Sequence, residues 1–315
     1  MKRSLRILGL LLAVLGLLFF ATKFWQHADS FLSRSWSFQE IVFMGALVAL
    51  VPFQFWLAAF AWQRILVLFG HRLALREAVR ITYISQLARY VPGNVSHHLG
   101  KLVLARSSGV PVAVGTGSIL AESLLVLGCG TGIAAALLPE LLSDLVLGEW
   151  SHWSAELLVA FLVSIVIVLG ILIFFRKRFK ARWKDMVGMS RFAPKSPLSI
   201  LSTAVGCYLL NFLFLGALAY WIGLCLMPVE GFSFLLCTGA MALAWTAGFL
   251  TPGAPAGIGV REFLALLVLS PILGEANTLL LVASHRVVVS LGDLLTFVIG
   301  VLLNRYSRLE PESMQ

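Results

Sequence analysis

The chain has 315 residues, 59% of them hydrophobic and only 12% charged, with a formal net charge of +9. Soluble domains carry about 25% charged residues, so this composition excludes an ordinary soluble fold and predicts an all-α polytopic membrane protein. In such a chain a surplus of Lys and Arg marks loops that face anionic lipid rather than a nucleic-acid surface.

In chain order, Met1 to Arg6 is basic and precedes an apolar run from Ile7 to Thr22. No small-residue cleavage site follows at Phe19-Phe20-Ala21-Thr22, so an uncleaved first span with a cytoplasmic basic end is expected over a signal peptide. Ile41 to Gln63 is charge-free and long enough to cross a bilayer, with a kink expected at Pro52. Arg64, Arg72, Arg76 and Arg80 then place that end in the cytoplasm. Ile81 to Gly109 carries Arg89, Lys101 and Arg106 and is too polar for a simple span. It reads as a re-entrant hairpin broken at Pro92-Gly93.

Pro111 to Leu138 is a span interrupted by Glu122. The loop 139–156 has four acidic residues and no Lys or Arg, so it is expected outside. Leu157 to Phe175 returns to a loop of eight Lys and Arg between Arg176 and Lys195, the strongest cytoplasmic mark in the chain. Ser199 to Met227 goes out again. Phe232 to Leu250 and Phe263 to Leu273 flank a second break, and the latter is short for a span. Asn277 to Leu303 is the last span, and Arg305 and Arg308 set the C-terminus inside.

The second break runs from Thr251 to Glu262 and holds two prolines and three glycines, Pro252, Gly253, Pro255, Gly257 and Gly259. It ends in the charged pair Arg261-Glu262. Broken backbone plus charge at membrane depth persists only where it is buried in protein or lines a polar cavity. Pro92-Gly93 precedes Lys101 by the interval that separates Pro252-Gly253 from Arg261. The first hairpin enters from the cytoplasmic side and the second from outside. That arrangement predicts an inverted repeat with halves 1–175 and 199–305 inside one integral membrane domain, 1–315, with about six to eight transmembrane helices.

Each break is followed by a helix start whose free N–H groups favour an anion, and Lys101 and Arg261 add full charges beside it. Phosphate suits such a pair. Glu122 lies about 16 Å into its span and Arg286 roughly 14 Å into the last one, at 1.5 Å per residue, so a Glu122–Arg286 pairing near the midplane is expected. Asp293 shares the helical face of Arg286, and His285 adjoins it. His97-His98 has no metal-ligand spacing and reads as polar lining. Cys129, Cys207, Cys225 and Cys237 form no CxxC pair and read as small buried hydrophobes. No metal site, cofactor motif or nucleotide-binding fingerprint is present in the sequence, so a transporter-like protein is expected over an enzyme.

The two breaks resemble those of the transmembrane family of lysylphosphatidylglycerol synthases, whose members are called flippase-like. The resemblance covers about residues 5 to 305. It rests on Tyr90-Val91-Pro92-Gly93 through Gly100-Lys101, on Glu122, and on Pro252-Gly253 with Gly257-x-Gly259-Val260-Arg261-Glu262. Lys101 stands where the family usually has Arg, His97-His98 replaces a more Gly-rich run, and Ser123 follows Glu122 where Arg is frequent. The resemblance implies a multi-pass protein of the inner membrane, lacking the aminoacyltransferase domain, that binds and moves a phospholipid or lipid-linked sugar. The substrate-binding candidates are Pro92, Gly93, Lys101, Glu122, Pro252, Gly253, Gly257, Gly259, Arg261, Glu262 and Arg286. Alternatives are a membrane-embedded headgroup transferase, with Glu122 or Glu262 as base, and a scaffold for a glycosyltransferase partner; a homo-oligomer is also open.

Overall fold

A computed structural model describes residues 34–91, 96–138, 196–227, 232–251 and 254–309, with positions 14, 18, 21–23, 25 and 26. The expected spans Ile7 to Thr22 (those positions aside) and Leu157 to Phe175 lie outside the described residues. So do the acidic loop, the most basic loop up to Lys195, and both Pro-Gly dipeptides, Pro92-Gly93 and Pro252-Gly253.

Among the described residues, the first long helix of the first half is α1, Phe38–Leu68, opened by a capping box. Ser37 Oγ accepts from the Glu40 N–H, and a Glu40 carboxylate oxygen accepts from the Ser37 N–H at 2.7 Å. The helix continues through Pro52. The arms of the first hairpin are α2, Leu75–Gln86, which tightens into a 3-10 turn over Leu87–Tyr90, and α3, Ser96–Ser107. α4, Val112–Leu137, follows Pro111 and completes the half.

The second half repeats this plan. α5 is Pro197–Leu226, with proline in its first turn where the missing N–H costs nothing. α6, Phe234–Leu250, is capped by Ser233, and a 3-10 turn over Pro255–Gly257 leads into α7, Val260–Leu273. α8, Glu275–Leu309, is longer than the expected last span. α7 also starts earlier than expected, so Arg261 and Glu262 lie in its first turn. Together with the preceding 3-10 turn it forms one of five stretches, among the described residues, that are long and apolar enough to cross a membrane. The chain is therefore an all-α polytopic membrane protein.

Packing relates the two halves. Exchange α1 with α5, α2 with α6, α3 with α7 and α4 with α8, and α1–α5 maps onto itself while every other principal packing pair maps onto another that is present. α2 against α8 answers to α6 against α4, and α8 against α1 answers to α4 against α5. At these last two crossings a glycine lets the helices approach: Gly292 of α8 sits on Val51, and Gly130 of α4 sits on Phe212.

α1 and α5 run antiparallel. Arg34 and Glu40 at the start of α1 lie by Cys225 near the end of α5, Phe53 meets Phe214 midway, and Arg64 lies by Cys207. Since α1 and α5 exchange roles, the repeat is inverted. One end of the bundle gathers Arg64, Arg72, Arg76 and Arg80, and the first hairpin enters there. The second hairpin enters from the opposite end, and the two 3-10 turns meet inside. The four cysteines are free; Cys129, Cys207 and Cys237 are buried and Cys225 half-buried.

Candidate functional site

Two adjoining cavities lie where the hairpin turns meet. The larger, about 100 Å³, is lined by residues of both halves that include Gln86, His97, His98, Lys101, Glu122 and Asn211. The smaller, about 50 Å³, is lined by Arg261, Glu262, His285 and Arg286 among others. Gln54, Arg89, Leu215 and Trp245 line both, so the two form one polar region.

Lys101, on α3, is 4% exposed, and its Nζ donates to both oxygens of Glu122 at 2.8 and 2.7 Å. The same Nζ lies 4.2 Å from the centre of the Trp62 ring, whose indole N–H donates to Ser118 on α4. The Tyr208 hydroxyl lies beside Glu122. The expected Glu122–Arg286 pairing is therefore not formed. Sequence position along a helix fixes depth, but azimuth decides the partner, and Glu122 faces the first hairpin.

Arg286 turns instead to the second hairpin, with Nε 3.2 Å from Glu262. The other oxygen of Glu262 accepts the Gly259 N–H at 2.7 Å. The expectation that the first N–H groups of α7 await an external anion is thus corrected at Gly259: the chain's own carboxylate takes that donor. Asp293 does not serve Arg286 either. It is fully buried, accepts from Arg89 Nη1 at 3.0 Å, and accepts the Tyr90 hydroxyl at 2.6 Å. Arg89 and Tyr90 were not among the candidates. The signal for them was present: a charge within an apolar run, immediately before a Pro-Gly break.

Arg261 differs from the other cations. Among the described residues, Lys101, Arg89 and Arg286 each have a carboxylate within salt-bridge distance, and Arg261 has none. Its Nε is buried without a hydrogen-bond partner, and its guanidinium lies 5.3 Å from the Trp245 ring centre. The backbone makes room for it. Gly257, at φ +70°, and Gly248 press against its side chain, and a Cβ at Gly248 would come within 2.6 Å of Arg261 Cγ. Gly259, at φ +88°, and Ala256, at φ +50°, complete a left-handed turn that a side chain adopts at a cost of roughly 1–2 kcal/mol.

The sequence-predicted residues Lys101, Glu122, Gly257, Gly259, Arg261, Glu262 and Arg286 therefore all come to this region, with two ion pairs and one cation without a carboxylate. His97 and His98 stack at 3.9 Å between ring centres on the wall of the larger cavity. Comparison with curated proteins finds no match. The family model of the lysylphosphatidylglycerol synthase TM region matches residues 6–296, a range that takes in both hairpins and every ion pair of the two cavities, and the chain belongs to that family.

Proposed function

We propose that this chain is a flippase-like protein that binds a lipid by a phosphate-bearing headgroup and carries that headgroup across the membrane. The observation behind this reading is Arg261. A charge at membrane depth costs about 2.5–3.5 kcal/mol on insertion scales, and a cation without a carboxylate partner leaves that cost uncompensated. A phosphate oxygen pair would offset it in fork geometry. Family membership supports a role with lipids, and the opposed hairpins are the plan on which transporters build midplane sites. Basic residues at one end favour a cytoplasmic position for that end, hence cytoplasmic termini in the cell's inner membrane. Headgroup transfer has less support, because Glu122 and Glu262, the residues that would act as base, are both held by cations.

The test uses purified protein in liposomes with fluorescent phosphatidylglycerol and a membrane-impermeant quencher. Reconstituted protein is expected to speed the loss of protected signal. Arg261→Gln should slow it about tenfold or more, since a charge-assisted hydrogen bond contributes about 1.5–3 kcal/mol, and Arg261→Lys should retain part of it. Unaltered transfer by folded Arg261→Gln protein would refute the assignment.

A further inference from the structure

We propose that the ligand of the joined cavities is a phosphodiester whose remaining headgroup is uncharged and rich in hydroxyls, a polyol or a sugar, rather than an amine-bearing headgroup. This deepens the lipid reading above and rests on it. The inference comes from which buried polar atoms have partners and which have none.

In the smaller cavity the unpartnered buried side-chain atoms are Arg261 Nε, Arg286 Nη2 and His285 Nε2. Two of the three belong to guanidinium groups. The charged groups lining the two cavities are Arg89, Lys101, Arg261 and Arg286 against Glu122 and Glu262, and Asp293, outside the lining, pairs with Arg89, which makes four cations to three carboxylates. The surplus is one positive charge, which a phosphodiester monoanion neutralises.

In the larger cavity the unpartnered buried atoms belong to neutral side chains. They are Thr82 Oγ1, Gln86 Oε1, His97 Nδ1, both ring nitrogens of His98, the Tyr208 hydroxyl and Asn211 Oδ1. They converge from α2, α3 and α5. Buried polar atoms are hydrogen-bonded in about 90% or more of cases, so six such side chains around one cavity form a surface that needs partners able both to give and to accept. Hydroxyls do both. The residues common to the two cavities allow one ligand to place its phosphate in the smaller and its hydroxyls in the larger.

An ammonium group finds no place. Glu122 is held by Lys101, Glu262 by Arg286 and the Gly259 N–H, and Asp293 by Arg89 and Tyr90. Three aromatic faces that could hold a cation already carry the chain's own: Trp62 under Lys101, Phe55 under Arg89 and Trp245 under Arg261. A headgroup amine would meet like charge and lose its hydration, which selects against it.

The experiment measures equilibrium binding of short-chain lipids to the purified full chain in one detergent. The panel is phosphatidylglycerol, lysylphosphatidylglycerol, phosphatidylcholine and a phosphate-free glycosyl diacylglycerol. Phosphatidylglycerol should bind about tenfold or more tightly than the two amine-bearing lipids. Arg261→Gln should lower phosphatidylglycerol affinity toward that of the glycosyl diacylglycerol, and His98→Phe with Asn211→Leu should weaken both hydroxyl-bearing lipids. Equal or tighter binding of either amine-bearing lipid, or no saturable binding of any of the four, overturns the inference. The panel on the unaltered chain decides this even if a variant fails to fold. Glycerophosphoglycerol, the same headgroup without acyl chains, identifies the source: weak binding supports a lipid, and binding as tight as the lipid's overturns the lipid reading beneath the inference. Selective binding without transfer in liposomes refutes the transport reading alone, whereas transfer with the opposite headgroup preference refutes this inference alone.

Discussion

Lys101 and Arg261 occupy matching places in the two hairpins, and their surroundings give them different work. Lys101 is closed in by Glu122 on one side and Trp62 on another, so its charge holds α3 to α4 and α1. Removing one partner of a buried pair leaves the other uncompensated and costs about 3–5 kcal/mol, whereas replacing both by apolar groups of similar size is often nearly neutral. Lys101→Met alone is therefore expected to lower the melting temperature in detergent markedly. Lys101→Met with Glu122→Leu should recover most of the loss, and a double variant as unstable as the sum of the singles would disprove the pairing. These charges stood out in the sequence because each interrupts an apolar run. Their partners did not, since a residue's depth in a span can be counted but the face it turns to a neighbour depends on how the helices rotate against one another. That is why Arg286 was matched with Glu122 and not with Glu262, and why Arg89 and Asp293, both noted, were not matched with each other.

The two hairpins were the elements most legible in the sequence, because Pro-Gly and Gly-rich stretches cannot continue a helix and the flanking charges cannot face lipid. Less legible was what holds the open end of the first hairpin. There Arg80 donates to Glu77 at 2.7 Å, to Ser108 at the foot of α3 at 3.0 Å, and to Asn304 of α8 at 2.9 Å, and Ser108 also donates to Glu77. Apart from Arg80–Glu77, these contacts join residues far apart in sequence, and an Arg-rich turn at a span's end reads as nothing more than a topology mark. The Arg80 hydrogen bonds hold the Glu77 carboxyl below the ordinary carboxylate range. A depressed folded-state value means a contribution to stability that is present above the unfolded carboxylate's titration and lost as pH falls through the folded value. The pair is partly exposed, so solvent screening keeps the contribution small. The stability of the detergent-solubilised protein is expected to fall on acidification below about pH 4, more steeply than that of Glu77→Gln. Identical acid profiles for the two proteins would remove Glu77 from this role.

At the scale of the whole molecule, the inverted repeat explains why, among the described cations that line the two cavities, Arg261 is left without a carboxylate. In the first half the hairpin supplies the cation, Lys101, and the span supplies the carboxylate, Glu122. In the second half the span carries Arg286, within a turn of the place that corresponds to Glu122, and the hairpin supplies the carboxylate, Glu262, one residue after its cation. The polarity of the hairpin–span pair is reversed, so Arg261 loses the partner that its counterpart keeps. Restoring the polarity of the first half should therefore abolish anion binding without undoing the fold. Arg286→Glu combined with Glu262→Gln places a carboxylate on α8 beside Arg261, which shares that cavity wall, and removes the surplus positive charge of the joined cavities. The Gly259 N–H keeps an acceptor in the amide oxygen at position 262, so the start of α7 retains its cap. The double variant is expected to melt within a few degrees of the unaltered protein, because a buried pair is exchanged for a buried pair, and to transfer phosphatidylglycerol at the rate of Arg261→Gln. Arg286→Gln alone separates charge from geometry: it removes the partner of Glu262 but gives Arg261 none, so it should cost stability more than binding. Transfer that survives the double substitution would mean that the unpaired cation of the second half is not what holds the anion.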